Sequence, residues 1–131
     1  MRELTYLEAI KEAIRQVMKK DEDVFMLGED IGLYGGSFGL TRGLFEEFGK
    51  DRIRNTPIAE AALIGAAVGS AVTGMRPIAE LMFSDFSTVA WDQIVNQAAK
   101  IRYQFGGKAK VPMVIRTAHG GGMGFAAQHS Q

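Results

Sequence analysis

One acidic residue, Glu60, precedes a long run of small and uncharged side chains in the segment TPIAEAALIGAAVGSAVTGMR (residues 56–76). No further charge occurs until Arg76. An acid in the first turn of a helix is stabilised by the helix dipole by about 0.3–1 kcal/mol, which gives Glu60 an ordinary structural explanation. The same position suits a carboxylate that meets a ligand bound beside the helix. The residues alone leave both interpretations open.

Two short glycine motifs resemble those of serine hydrolases. GGSFG (residues 35–39) has the G-x-S-x-G form around Ser37, and an HGGG string begins at His119. A nucleophile elbow requires a strand that runs directly into the serine, but Ser37 lies about ten residues past the nearest predicted strand. The HGGG string also follows the serine, whereas in lipases it precedes it. A plain loop is therefore the preferred interpretation.

The other polar candidates are weaker. His119 and His129 could share a metal ion, but no Asp, Glu or Cys lies near them in the sequence to complete a set of ligands. Neither of the two common glycine-rich phosphate-binding motifs is present in its proper place. The sequence therefore predicts no metal ligands and no nucleotide-phosphate loop.

Three apolar residues, Met82, Phe83 and Phe86, lie at the end of a predicted strand and in the turn after it. Residues in such places most often pack in the core. They would also suit the floor of a pocket for a flat ring, because ligands of open α/β sheets bind beyond the carboxyl ends of the strands. Spacing alone does not separate these two interpretations.

The composition is that of one globular domain of 131 residues, with 47% apolar and 23% charged residues. The 15 basic and 15 acidic residues balance, which argues against nucleic acid or a membrane surface as a partner. Cysteine is absent, so neither a disulfide nor a thiolate metal site can form. The charged N-terminus lacks the apolar stretch of a signal peptide, and we expect a cytoplasmic protein.

Hydrophobic periodicity predicts helices that alternate with strands. In the first half, the expected elements are a helix after a Thr5–Glu8 capping box, a strand at residues 24–27, a glycine-rich loop at residues 28–39 and a helical segment at residues 41–48 ended by Gly49. In the second half, a short strand is expected at Ile53, followed by a helix that Thr56 and Pro57 cap and that runs to about Gly74. A strand at residues 77–83 comes next. A long helix, capped from Ser84, Asp85 and Ser87, then runs through Ile101, and a last strand covers residues 111–115.

This alternation indicates an α/β fold with a parallel sheet and helices on both faces. The carboxyl ends of parallel strands share one edge of the sheet. Three segments should meet there: the loop at residues 28–39, the helix start at residues 56–60 and the turn after Phe83. We expect the functional site at this edge.

Six blocks follow one another along the chain: LGED, TRGLFEEFG, TPIAEAALIGAAVG, GMRPIAELMFSDF, DQIVNQAAK and AAQHSQ. In this order and spacing they resemble the β subunit of the thiamine-diphosphate-dependent 2-oxo acid dehydrogenases, which include the pyruvate, branched-chain 2-oxo acid and acetoin enzymes. The resemblance runs from Leu4 to Gln131, and RYQFGGKAKVP and IAELMFSDF look closest to the acetoin branch. It implies the domain that binds the pyrimidine ring of the cofactor, with the three-layer α/β fold of the transketolase pyrimidine domain.

The resemblance also implies roles for particular side chains. Glu60, in TPIAE, would bond ring nitrogen N1′ and make the imino form of the pyrimidine accessible. Phe86 would stack on the pyrimidine and Met82 would pack near it. Glu29, in LGED, would belong to an acidic relay between two active sites. His129, in AAQHSQ, would face the reacting centre and assist intermediates or transfer to a lipoyl arm.

The remaining parts of such a site are implied to lie on other chains. In the family, an α subunit holds the pyrophosphate and Mg²⁺ through a GDG motif and a following Asn, and this chain contains no GDG. The expected assembly is α2β2, with a lipoyl acyltransferase as acceptor. The family's β subunit continues into a second α/β domain, so residues 1–131 are expected to form the pyrimidine-binding domain alone. A split transketolase-type half enzyme and a non-catalytic fragment that only pairs with another subunit remain alternatives.

Overall fold

The computed structural model describes residues 2–129, and Met1, Ser130 and Gln131 lie outside this description. Within that range four parallel strands form one sheet in the order β2-β1-β3-β4. The strands are β1 (Val24–Glu29), β2 (Ile53–Thr56), β3 (Arg76–Phe83) and β4 (Val114–Ala118). The helices are α1 (Tyr6–Lys20), α2 (Leu44–Phe48), α3 (Glu60–Val72) and α4 (Ile101–Gln104), with a 3₁₀ helix at Ser84–Thr88 and a π-helix at Gln93–Ala98. The predicted α/β class is confirmed.

Successive residues of β1 point to opposite faces of the sheet, and both faces are covered. Val24 and Met26 pack in one apolar cluster with residues of α1 and α2. Phe25 and Leu27 pack in a second cluster with residues of α3. A strand that is buried on both faces consists of an unbroken apolar run, which is why VFML shows no alternation of apolar and polar residues.

Side chains hold both ends of α1. At its start the Thr5 hydroxyl accepts a hydrogen bond from the Glu8 N–H (3.2 Å), and the Glu8 carboxylate accepts one from the Thr5 N–H (2.8 Å). The predicted capping box is therefore confirmed. At its end the Arg52 guanidinium donates to the carbonyl oxygens of Met18 and Asp21, both at 2.9 Å. Arg52 lies just before β2, so it ties the end of α1 to the sheet.

The helix expected to begin after Thr56 begins at Glu60 instead. Thr56 is the last residue of β2 and pairs with Glu29 of β1, so its backbone is committed to the sheet and it does not cap a helix. Ala59 precedes α3 and has no capping side chain of its own. The Glu29 carboxylate accepts a hydrogen bond from the Ala59 N–H at 3.0 Å. A neighbouring strand thus supplies an acceptor to the residue that precedes the helix, while no side chain caps the first turn of α3.

The segment after β3 is not the single long helix that the sequence predicts. The chain forms a 3₁₀ helix, a π-helix and the short helix α4 in succession. The backbone at Val89, Asp92 and Ala99, between these pieces, has right-handed helical dihedral angles. The chain therefore follows one helical path along which only the hydrogen-bonding pattern changes. Asp85 does not cap this path, because its carboxylate binds a residue at the far end of the chain.

Two further boundaries differ from prediction. β4 begins at Val114 rather than at residue 111, because Ile78 of β3 pairs with Val114. Val111 packs instead against the apolar cluster that includes α3. The helical segment expected from residue 41 begins at Leu44, and Gly49 ends it as predicted.

β1 and β3 approach closely at Gly28, which pairs with Glu80. A Cβ atom added to Gly28 would lie 2.7 Å from the Glu80 Cβ and 2.8 Å from the Glu80 carbonyl oxygen. Neither atom is the far end of a flexible side chain. The pairing of β1 with β3 therefore requires glycine at this position.

We expect Gly28→Ala to lower the free energy of unfolding by about 1–3 kcal/mol, because the added methyl group meets the backbone of the neighbouring strand. Gly69→Ala is the matched control: it lies within α3, and no atom lies within 4 Å of the added methyl group. That substitution should raise stability by about 0.5–1 kcal/mol, the helix penalty of glycine. Denaturant titration of both variants measures the difference, and a stability change of the same sign in both would contradict the close contact.

β3 and β4 share a buried ion pair. Glu80 is 6% exposed, and the Arg116 guanidinium donates to one of its carboxylate oxygens. The other oxygen has no hydrogen-bond partner among the described residues. Burial raises the pKa of Glu80 to about 7, although Arg116 acts to lower it. The folded chain therefore binds the Glu80 proton more tightly than the unfolded chain does.

The stability that comes from this proton is complete below the ordinary glutamate pKa of 4.5 and is lost as the pH rises through about 7. We expect the wild-type chain to lose up to about 3 kcal/mol of unfolding free energy across this window through Glu80. Glu80→Gln cannot titrate and should lose less, whereas Glu46→Gln, at an exposed position, should keep the wild-type slope. Denaturation at a series of pH values measures the slopes, and equal slopes for Glu80→Gln and wild type would refute the raised pKa.

Candidate functional site

Three segments meet at the carboxyl edge of the sheet. The Glu29 carboxylate, at the end of β1, binds the Ala59 N–H just before α3. Phe38, in the glycine-rich loop after β1, contacts Phe83 at the end of β3, with ring centroids 5.8 Å apart. The loop, the helix start and the turn after β3 therefore come together, as the parallel strand order requires.

Hydrogen bonds to the chain around it hold the glycine-rich loop. The Asn55 side-chain oxygen accepts from the Gly32 N–H at 3.2 Å, and the Thr41 hydroxyl donates to the Ile31 carbonyl oxygen at 2.8 Å. Ser37 lies exposed in a turn of this loop, not between a strand and a helix. The nucleophile elbow of a hydrolase is therefore absent from this part of the chain.

Glu29 is the most deeply buried acid at this edge, at 1% exposure. One carboxylate oxygen accepts the Ala59 N–H, and the other has no partner among the described residues. Burial raises the pKa of Glu29, and the carboxylates of Glu60 and Asp30 raise it further, while the Ala59 N–H lowers it. Glu29 thus holds its proton more tightly than an ordinary glutamate, because its pKa is raised, and it lies within electrostatic range of Glu60.

Glu60 is the first residue of α3 and is 8% exposed. Its position at the helix start gives it the favourable dipole that the sequence suggests. No donor among residues 2–129 forms a hydrogen bond with its carboxylate. The Glu60 oxygens keep some contact with solvent, unlike the second oxygen of Glu29, so an incoming ligand N–H or ring nitrogen can reach them.

An aromatic cluster lies at the same carboxyl edge of the sheet, around the end of β3, and consists of Phe38, Phe83, Phe86, Phe125 and His129. Phe83 is at its centre and makes T-shaped contacts with the other three phenylalanines at centroid distances of 5.8, 5.9 and 5.9 Å. The His129 ring stacks on Phe83 at 3.8 Å and meets Phe86 edge-on at 5.3 Å. Aromatic pairs in these geometries add about 0.5–1.5 kcal/mol each beyond the area they bury.

Asp85 anchors His129 to the turn after β3. The His129 Nδ1 lies 2.9 Å from one Asp85 carboxylate oxygen, and the His129 N–H donates to the other oxygen at 3.2 Å. The hydrogen bond from His129 lowers the pKa of Asp85 below its ordinary value. Both residues are largely buried, with side-chain exposures of 14% for His129 and 20% for Asp85.

Met82 and Phe86 lie on either side of Phe83 in the chain. β3 has an extra residue between Leu81 and Phe83 relative to β4, so Met82 lies in a β-bulge, a feature that redirects side chains at the end of a strand. Met82 and Phe86 are half-buried. A cleft of about 600 Å³, lined by residues 84–88, opens beside Phe86. The roles expected of these two residues stay predictions.

His119 lies outside the aromatic cluster, and its Nδ1 accepts a hydrogen bond from the Gly121 N–H at 3.1 Å. Across residues 2–129, no group of three or more His, Asp or Glu side chains is arranged to hold a metal ion. No helix in that part of the chain is long and apolar enough to cross a membrane.

The geometry suits a flat ring that carries nitrogen atoms. Glu60, which is 8% exposed, offers a carboxylate without a donor among the described residues, and Glu29 has a buried oxygen without a partner. Aromatic side chains lie at the same edge of the sheet, around the end of β3. This combination of a few polar groups and an aromatic surface is typical of sites for heteroaromatic ligands.

Sequence reasoning missed three residues of this site. Phe38 and Phe125 lie in glycine-rich loops, where no periodicity marks a packed ring. Asp85 was expected to cap a helix, and its position directly after a strand was the only signal for another role. Each of these residues depends on contacts between segments that are far apart in sequence.

Comparisons with known proteins indicate the family of this chain. Residues 2–131 match the family described as "Transketolase, pyrimidine binding domain". Acetoin:2,6-dichlorophenolindophenol oxidoreductase subunit beta of Cupriavidus necator is 54% identical over 99% of this chain and 41% of its own length. The 2-oxoisovalerate dehydrogenase subunit beta of Bacillus subtilis (strain 168) is 47% identical over 98% of this chain and 39% of its own length. A solved structure, described as a split-gene transketolase in an inactive β4 tetramer, matches with a TM-score of 0.62 and 26% identity over 86% of this chain and 33% of that one.

The chain spans about two fifths of the length of the curated relatives it matches. The resemblance to dehydrogenase β subunits that the six sequence blocks carry is confirmed by identities of 47% and 54% to such subunits. Since the family match extends over residues 2–131, this chain belongs to the transketolase pyrimidine-binding domain family.

Proposed function

We propose that this chain is the pyrimidine-binding part of a thiamine-diphosphate-dependent dehydrogenase β subunit that acts on a 2-oxo acid or on acetoin. The observation that carries the proposal is Glu60, a carboxylate buried at the start of α3 with no donor among the described residues. The identity to subunits of the acetoin and 2-oxoisovalerate enzymes supports it. Both interpretations of Glu60 then hold together, because the acid that suits the helix dipole also faces the ligand.

The residues at this edge have distinct tasks in the proposed site. Glu60 binds the pyrimidine ring nitrogen and shares a proton with it. Glu29, whose pKa is raised by burial, lies near Glu60 and keeps the start of α3 in place through the Ala59 N–H. Phe86 offers an aromatic surface to the ring, and Met82 packs near it. Thiamine diphosphate, when bound, supplies the carbon nucleophile that attacks the substrate carbonyl.

Other components must complete the site. The chain contains no GDG motif, and the described residues include no grouped metal ligands. An α subunit that carries GDG and a following Asn would hold the pyrophosphate and Mg²⁺. A lipoyl acyltransferase would accept the acyl group, with His129 facing the reacting centre during the transfer.

The partner prediction can be tested by affinity capture. We expect the tagged chain, incubated with extract of its source organism in thiamine diphosphate and Mg²⁺, to retain a protein with a GDG motif and a downstream Asn, as mass spectrometry will identify. Omission of the cofactor and metal is the control and should reduce recovery. Retention of a partner that lacks the GDG motif would contradict the half-site arrangement.

Glu60→Gln tests the catalytic role. An amide cannot share a proton with the ring nitrogen as a carboxyl group does, so we expect turnover of the assembled complex to fall by at least about 100-fold. The variant should remain folded by circular dichroism. Glu46→Gln is the matched control, since Glu46 is exposed on α2. Dye reduction driven by acetoin or a 2-oxo acid measures turnover, and near-normal turnover of the Glu60→Gln complex would exclude the mechanism.

The match to a split-gene transketolase favours a second candidate, a transketolase-type half enzyme. This enzyme would also need a partner for the pyrophosphate, and its pyrimidine site would use the same glutamate. Transfer between sugar phosphates without a lipoyl acceptor would identify it. Acetoin- or 2-oxo-acid-dependent dye reduction by the assembled complex would identify the dehydrogenase.

A further inference from the structure

Asp85 holds His129 at two points with one carboxylate. One oxygen accepts from the His129 backbone N–H at 3.2 Å, and the other lies 2.9 Å from the imidazole Nδ1. The two residues come from the turn after β3 and from the end of the described chain. A contact that fixes both the backbone and the ring of a residue determines where that ring lies and how it is rotated.

The ring is also held on its faces. His129 stacks on Phe83 with the planes inclined by 17°, and it meets the edges of Phe86 and Phe125 at centroid distances of 5.3 and 5.5 Å. Its backbone φ of 62° lies in the left-handed region, which is uncommon for a residue other than glycine. A bond from a neighbouring side chain is one way in which such a conformation is maintained.

The hydrogen-bonding partner determines which ring nitrogen carries the proton. An ionised carboxylate only accepts hydrogen bonds, so the nitrogen facing Asp85 must be the donor. Neutral imidazole has one protonated nitrogen, and with Nδ1 protonated the other nitrogen, Nε2, is an acceptor. The lowered pKa of Asp85 is consistent with an ionised carboxylate at neutral pH.

We infer that Asp85 is a positioning residue for His129: it keeps the proton on Nδ1 and leaves Nε2 as the nitrogen that faces the reacting atoms. The first part of this inference concerns the chain itself, and the second part rests on the proposed function. Asp85 acts through His129 and does not touch the substrate. The turn after β3 thus aligns a side chain that lies 44 residues away in the sequence.

The tautomer can be read directly by NMR. In the full chain labelled with ¹⁵N-histidine, two-bond proton–nitrogen correlations identify the protonated nitrogen of each ring. The chain contains two histidines, and His119→Gln assigns their signals. We expect His129 to be protonated at Nδ1 in the wild-type chain and to shift toward the Nε2-protonated form in Asp85→Leu. Asp85→Asn retains a carbonyl oxygen that can accept from Nδ1 and should keep the wild-type tautomer.

Asp92→Leu is the matched control, because Asp92 is an acid of the same helical path whose carboxylate binds Asn96 and Gln93. It should leave the His129 pattern unchanged. An Nε2-protonated His129 in the wild-type chain, or the wild-type pattern in folded Asp85→Leu, would overturn the inference. If Asp85→Leu does not fold, the wild-type tautomer and the Asp85→Asn spectrum still decide it.

The catalytic part is tested in the assembled complex. A positioned acid or base contributes about 10²–10⁴-fold, so we expect Asp85→Leu, which disturbs only the position of His129, to lower kcat by about 10–100-fold. The thiamine diphosphate concentration that gives half-maximal activity should change little, and Asp85→Asn should lose less activity than Asp85→Leu. His129→Ala combined with Asp85→Leu should be no slower than His129→Ala alone. If Glu60→Gln inactivates the complex but Asp85→Leu leaves kcat at the wild-type value, the role of Asp85 is refuted. If the Glu60→Gln complex is active, the proposed function is refuted, and the tautomer result is unaffected.

Discussion

The hydrogen bond between the Glu29 carboxylate and the Ala59 N–H joins the end of β1 to the start of α3. It satisfies a backbone donor at a helix start that no local side chain caps. It also places two buried carboxyl groups at one edge of the sheet, because Glu60 follows Ala59 directly. The position of Glu60, and with it the chemistry available at this edge, depends on this contact between elements.

The cost of burying acids explains their arrangement. A buried carboxylate without a partner is unfavourable, so an acid in this position either binds a donor or becomes neutral. Glu29 does the first with one oxygen, and its raised pKa shows a tendency toward the second. Glu60 has no donor among the described residues, which makes it the group most ready to bind an incoming polar atom. The two acids therefore differ in role although they lie close together.

The aromatic cluster provides a second constraint at the same edge. Phe83 receives contacts from rings of three different segments, and His129 is held against it by Asp85. The bulge at Met82 shifts the register of β3 against β4 before their last pair, Phe83 with Ala118, and so changes the direction of the side chains that follow. The turn that follows β3 carries Phe86 and Asp85, which both contact His129.

Much of the secondary structure follows from interactions between residues that are close in the sequence. The capping box of Thr5 and Glu8, the apolar run of β1 and the glycine stop of α2 could all be predicted, because each depends on residues within a few positions of one another. Boundaries set by partners could not be predicted. Thr56 looks like a helix cap but is paired in β2, and β4 takes its limits from its register with β3.

The same division applies to the site. The sequence by itself determined the α/β class and the parallel sheet, and through its ordered blocks it indicated the family and the candidates Glu60, Glu29, Met82, Phe86 and His129. Only the tertiary structure decided that Glu29 binds the Ala59 N–H before α3, that Phe38 and Phe125 pack around Phe83, and that Asp85 binds His129 and not a helix end. The physical reason is that helices and strands arise from interactions over a few residues, whereas a buried polar group or ring takes whichever partner the packed chain brings within reach.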